Sequence, residues 1–195
     1  MATATTGPWW ADHTQEATTF SVRHLHPTFT DYCIPAIAAT KSKPGREAIK
    51  VKLRISYSHH CFTRDLEGTP GADPDHYYNC SKRPKEKRVF CPHRWNESHA
   101  LPGILSGLNK CYFAPKTKKN KEENFFIWRN PSNPALGEYF VFFKLKLHKN
   151  GFIDLVVQSA YPRTDGERLK NSGPTTLQTL IANMVGGKKT FNPNR

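Results

Sequence analysis

Two adjacent histidines, a cysteine, a threonine and an arginine crowd into ISYSHHCFTR, residues 55–64. These are groups that move protons, act as nucleophiles or hold anions. Histidine suits proton transfer near neutrality because its unperturbed pKa is about 6.5. Strand geometry sorts the cluster: successive side chains point to opposite faces, so His59 and His60 are not expected to share a pocket while a strand lasts. By that parity His59 and Cys61 follow Ile55 and Tyr57 toward a core, whereas His60 follows Arg54 and Ser58 toward a polar side. A Cys61 nucleophile served by His60 is disfavoured for the same reason.

The element that positions this cluster is AIKVKLRISYSHH, in which Ile49, Val51, Leu53, Ile55 and Tyr57 form one face and Lys50, Lys52, Arg54, Ser56, Ser58 and His60 the other. A second pattern, EYFVFFKLKLHKNGFIDLVVQSAYPR over residues 138–163, predicts a hairpin turning at Lys149-Asn150-Gly151, with Gly151 in the left-handed region. Its apolar face pairs Leu147 with Ile153, Leu145 with Leu155, Phe143 with Val157 and Val141 with Ser159, which puts Ser159 on the buried side unless a bulge intervenes. Lys144 and Lys146 fall on the other face, with Asp154 opposite Lys146.

Between these strands, RVFCPHRW predicts a short strand entering a helix with Pro92 near its first turn, interrupted at Pro102 and Gly103. The segment SGPTTLQTLIANMVGG predicts a helix capped near Ser172, with Pro174 in the first turn and Gly186 as its stop; Leu177, Leu180, Ile181, Met184 and Val185 form its core stripe. Residues 65–88 read as a long charged surface loop. Residues 1–19, threonine-rich apart from Trp9 and Trp10, read as a flexible arm, and residues 20–195 as a single domain. The fold class is therefore α+β: a twisted antiparallel sheet with helices on one face and a basic opposite face.

Charge narrows the partners. With 29 Lys and Arg against 16 Asp and Glu, the formal charge is +13, which favours a polyanion such as nucleic acid. No apolar run approaches the roughly 20 residues needed to span a bilayer, and MATATTGPWWADHTQEATTF lacks the layout of a signal peptide, so the expected compartment is the cytoplasm, with no membrane partner. An odd number of cysteines, five, argues against a disulfide framework.

If Lys50, Lys52 and Arg54 share a sheet with Lys144 and Lys146, they form a surface for phosphates. Tyr57, Phe142 and Tyr161, near strand ends, offer rings for base stacking. RNA carries its own nucleophile, so its cleavage without metal or cofactor needs a base for the 2′-hydroxyl, an acid for the leaving oxygen and donors for the phosphorane. His60 is the candidate for proton transfer, at the rim of the basic face. Arg64, Ser58, Thr63, Ser159, Tyr161 and Arg163 are the candidate donors.

Ser58-x-His60 followed by Arg64, together with the strand ending Ser159-Ala160-Tyr161-Pro162, resembles the ribonuclease-toxin superfamily that includes barnase, EndoU, colicin D, colicin E5 and RelE. The resemblance covers about a quarter of the chain and rests on short motifs. It implies a toxin-like endoribonuclease acting by 2′-hydroxyl attack, with His60, Arg64, Ser159 and Tyr161 as catalytic residues and an acidic antitoxin or immunity protein as partner. Two other readings stand beside it. One is a non-catalytic nucleic-acid- or protein-binding module, such as a phage or defence-related inhibitor, using the same basic face. The other is a zinc-stabilised protein drawing on His60, Cys61, His76, Cys80, Cys91 and His93, although no pair has the usual ligand spacing.

Overall fold

The computed structural model describes residues 10–40, 42, 44–67, 77–78, 86–108, 110–113, 124–129, 138–163 and 173–187. Eleven strands lie among them: β1 His13–Gln15, β2 Thr18–Phe20, β3 Thr28–Ile34, β4 Ile49–Tyr57, β5 Thr63–Asp65, β6 Arg88–Phe90, β7 Lys110–Phe113, β8 Asn124–Arg129, β9 Glu138–Leu147, β10 Ile153–Arg163 and β11 Pro174–Thr176. Helices α1, Pro92–Ser98, and α2, Leu101–Ser106, follow β6, and α3, Leu177–Val185, follows β11. The class is α+β, as the alternating patterns imply. The main sheet runs β11-β7-β8-β9-β10-β4-β3. It is mixed rather than wholly antiparallel, because β4 lies parallel to β10.

The parallel pair requires a crossover connection. With β9 already hairpinned onto one edge of β10, β4 takes the other, and the chain between β4 and β10 carries α1 and α2 across. Within the hairpin, Leu147 faces Ile153, Leu145 faces Leu155 and Phe143 faces Val157, the register the apolar alternation dictates. Gly151 adopts φ +81°, and its N–H donates to His148 O at 2.9 Å. Beyond Val157 the register slips: Ser159 pairs with Phe142 and Ala160 with Val141. This β-bulge gives the core position to Ala160, fully buried, and leaves Ser159 half-buried on the other side.

One core joins the odd-numbered face of β9 to β4, β10 and the helices: Leu53, Tyr57, Val141, Phe143, Leu155 and Val157 meet Leu101, Ile104 and Leu105 of α2 and Leu177, Leu180 and Ile181 of α3. Each such apolar side chain contributes roughly 1.5–3 kcal/mol on burial. Both ends of α3 depart from expectation: at its end Met184 is half-buried and Val185 is exposed, so the buried stripe stops at Ile181, and its start is displaced too. Residues 174–176 extend the sheet edge, pairing with β7, and the helix begins at Leu177, its Thr176 hydroxyl accepting from Thr179 N at 3.1 Å. Ser172 lies outside the described residues.

Two further expectations change. The opposite sheet face is basic over β4 and the turn end of the hairpin, but over β8 and β9 it carries a second buried cluster, Phe125, Phe140 and Phe142, with Tyr112, Ile127 and Tyr161 against it. The predicted arm is in part built into the fold. Residues 13–20 form the β1–β2 hairpin, His13 stacks on Phe90 with ring centroids 4.3 Å apart, and the Trp10 indole donates to Tyr57 O at 2.7 Å. Aromatic groups in an otherwise polar segment supply that anchoring.

Candidate functional site

The strand carrying ISYSHH ends at Tyr57, and that end sets the site. Ser58 N donates to Val157 O at 2.8 Å, after which His59–Cys61 wind into a single 3₁₀ turn. The Ser58 hydroxyl caps the turn by accepting from His60 N, and Thr63 Oγ1 donates to His59 O at 2.8 Å. Cys61 and Phe62, fully buried, nail the turn to the core. Two-residue alternation no longer applies, and both imidazoles reach the same carboxylate: His59 Nε2 lies 3.2 Å and His60 Nε2 2.8 Å from Glu86 Oε2. Their rings stand edge to face, 4.6 Å apart. His59 is buried, as parity predicts, but the two histidines are not separated.

Glu86 arrives by strand pairing. β5 lies antiparallel to β6, with Thr63 opposite Phe90 and Asp65 opposite Arg88, so the residue two places before β6 is delivered beside the histidine turn. Two half-buried or buried guanidiniums hold the backbone there. Arg88 donates to Thr63 Oγ1 at 2.7 Å and Thr63 O at 3.0 Å; Arg94 donates to His60 O at 3.2 Å and Thr63 O at 2.9 Å. Burial and then repulsion from Arg94 lower the pKa of Arg88, and burial and then repulsion from Arg64 lower that of Arg94. Next to the turn opens a pocket of about 330 Å³ lined by His60, Asp65, Glu67, Glu86, Lys87 and Arg88.

The other sequence candidates gather elsewhere. Arg64 sits on the opposite side of β5 from Thr63 and Asp65, within electrostatic reach of Arg94 and Glu97. Tyr161 lies beneath Arg94, whose guanidinium carbon is 5.0 Å from the ring centroid. Arg94 thus links Arg64 and Tyr161 to the carbonyl of His60, while the His60 ring faces the pocket, whose lining includes neither of them nor Ser159. Lys50, Lys52 and Lys146 are exposed and Lys144 half-buried, and register puts all four on one sheet face. Lys52 and Lys50 lie five and seven residues before the end of β4, roughly 17–23 Å along the strand, so His60 is not at their immediate rim. Arg54 is spent on Asp154, whose carboxylate takes both its Nε, at 2.5 Å, and its Nη2. The backbone of Arg163 ends β10 opposite Glu138; its side chain lies outside the described set.

Burial removes two expected roles and agrees with the exclusion of a third. Tyr57 and Phe142 are 4% and 7% exposed, so neither presents a ring for stacking. Cys61 is fully enclosed and burial pushes its thiol up to about 12, which leaves it a core residue and no nucleophile. Of the proposed zinc ligands, Cys91 is buried in the core, His93 pairs with Glu97 at 3.2 Å, and His76 and Cys80 lie outside the described residues. Glu86 escaped sequence reasoning. Its only signal is that it is the lone acid in SKRPKEKRVF, immediately before a short apolar strand.

Fold and site together define a basic α+β protein with a histidine–histidine–glutamate cluster at the mouth of a polar pocket. The chain belongs to the YjaZ family, whose model matches residues 12–185, a span that takes in the β1–β2 hairpin, the cluster and α3. It is similar to Protein YjaZ of Escherichia coli (strain K12), with 38% identity over 77% of this chain and 80% of that protein. No solved structure matches it. Among the described residues no helix is long and apolar enough to cross a membrane.

Proposed function

We propose that this protein cleaves RNA by attack of the 2′-hydroxyl on the adjacent phosphodiester. His60 is the proton-transferring group: the 2′-oxygen bonds to phosphorus as its proton leaves, the bond to the 5′-oxygen breaks, and that oxygen takes a proton. The products are a 2′,3′-cyclic phosphate and a 5′-hydroxyl. The observation that carries this reading is the 2.8 Å contact between His60 Nε2 and Glu86, in a ring that is 34% exposed at the mouth of a pocket bearing Asp65 and Glu67 as well as Lys87 and Arg88. A carboxylate in that place orients an imidazole and balances its charge when protonated. Tyr161 supports the site through Arg94, as a positioning residue; Arg64 and Ser159 have no part in it. The formal charge of +13 supplies attraction for the substrate and, with the ribonuclease-toxin resemblance, suits an acidic inhibitory protein as partner.

The test is incubation of the pure chain with total RNA and with transfer RNA in EDTA. Discrete fragments ending in cyclic phosphate are expected, lost in His60→Ala and slowed by about 100-fold in Glu86→Gln. Intact RNA sinks the reading. One observation favours a second reading, a nucleic-acid-binding module without catalysis: Lys50, Lys52, Lys144 and Lys146 share one sheet face, and none of them lines the pocket beside His60. Under it, His60→Ala leaves RNA binding and biological effect unchanged, while loss of the lysines abolishes both.

A further inference from the structure

We infer that His59, His60 and Glu86 form a three-ligand site for a divalent transition metal of the zinc class, with its fourth position open to the pocket. Two imidazoles and a carboxylate are a donor set that zinc accepts. At bonds of about 2.0–2.1 Å, tetrahedral ligand atoms stand roughly 3.3–3.4 Å apart. Here one ligand atom from each residue lies within 4.8 Å of the others, with 3.2 Å from His59 and 2.8 Å from His60 to Glu86. Only small side-chain rotations separate this arrangement from coordination.

Two independent features favour a cation there. The pocket carries three carboxylates, Asp65, Glu67 and Glu86, against Lys87 and Arg88, a local surplus of acid in a strongly basic chain. Burial is graded across the cluster: the side chains of His59, His60 and Glu86 are 2%, 34% and 31% exposed, so an ion would be walled by the core on one side and reached from solvent on the other. The turn is also fixed before any ion arrives, by the Ser58 cap, Thr63 and Arg94, and the Trp10 ring lies 5.1 Å from that of His59. Cysteines take no part. A His60 nitrogen bound to zinc cannot accept a proton, so zinc loading and proton transfer by His60 exclude one another. Zinc is therefore expected to inhibit RNA cleavage, a consequence that rests on the function proposed above, whereas the site itself does not.

The experiment is zinc titration of the full chain, stripped with EDTA and exchanged into metal-free buffer, in competition with a chromophoric chelator. One zinc per chain is expected. Losing a group that merely hydrogen-bonds a metal ligand costs about 10–100-fold in affinity, so His60→Ala and Glu86→Gln should each cost at least about tenfold, while Cys33→Ser binds normally. Cobalt(II) should give ligand-field bands without thiolate charge transfer. Circular dichroism checks that each variant is folded; both altered positions are partly exposed, and either variant alone decides the matter. Substoichiometric zinc, affinity unchanged in either folded variant, or a thiolate band overturns the site. Zinc bound by a chain that cuts no RNA even after the metal is stripped with EDTA keeps the site and overturns the function; RNA cut in EDTA by a chain that takes up no zinc does the reverse.

Discussion

At the scale of single residues, charge is used for two different ends. Lys50, Lys52 and Lys146 stay in solvent, but Arg54 and Asp154 neutralise each other in the sheet, with Arg54 also 5.1 Å from the Phe152 ring and His148 3.0 Å from the Asp154 carboxylate. The hydrogen bond to Asp154 raises the Arg54 pKa further. Because Asp154 is 4% exposed, removing it strands a partly desolvated cation. Asp154→Ala should cost about 3 kcal/mol in urea denaturation, and Arg54→Met in the same chain should restore much of that. A double variant no better than the single one would show that the pair is not coupled. The sequence displayed these charges and their strand parity; that Arg54 is withdrawn from the basic face required the parallel β4–β10 register, which no local pattern encodes.

At the scale of elements, turns and breaks in periodicity decide more than the strands do. Gly151 holds φ +81° and has open space where a Cβ would go, so its requirement is conformational and not steric crowding. Gly151→Ala should therefore destabilise by about 1–2 kcal/mol, the cost of left-handed backbone for an L side chain, with binding of RNA or zinc unaffected. No loss in the thermal midpoint would mean the loop can adopt another conformation. The hairpin and this glycine were legible because alternation and turn chemistry agree. The bulge after Val157 was not: Ser159 and Ala160 are both small, and only competition for the core position opposite Val141 selects Ala160. The same limit governs His59 and His60, whose parity held only as long as the strand.

At the scale of the whole molecule, pH and salt report on packing and on the charged face. His24, in the β2–β3 connection, faces the end of α1, its Nε2 2.7 Å from Ser98 Oγ and its ring stacked at 3.8 Å on His99. Burial first, then repulsion from His99, pushes its pKa down to about 4, with His26 a further repelling neighbour. The unfolded chain, with His24 near 6.5, binds the extra proton between those values, so stability present above pH 6.5 is lost as pH falls toward 4. The loss should be roughly 1–2 kcal/mol after allowance for partial exposure, and His24→Gln should flatten it in urea midpoints taken at pH 7 and 4.5. An equal pH dependence in the variant would remove His24 as its source. For RNA binding, log K should fall with log salt by about 0.7 per phosphate contact. Lys144→Ala and Lys146→Ala should each reduce that slope by about 0.7, and unchanged slopes would place the RNA elsewhere.

The sequence by itself determined the α+β class, the basic balance, the hairpin with its glycine and the core stripe of α3 from Leu177 to Ile181. These follow from local alternation, turn preference and composition, which act within a few residues. Tertiary structure alone decided that His59 and His60 converge, that Glu86 meets them, that Arg64 and Tyr161 gather around Arg94, and that Tyr57 and Phe142 are core. Each of these depends on pairing between segments distant in the chain, above all β5 with β6 and β4 with β10. Such pairings are selected by the burial they permit together and leave no periodic trace in either strand alone.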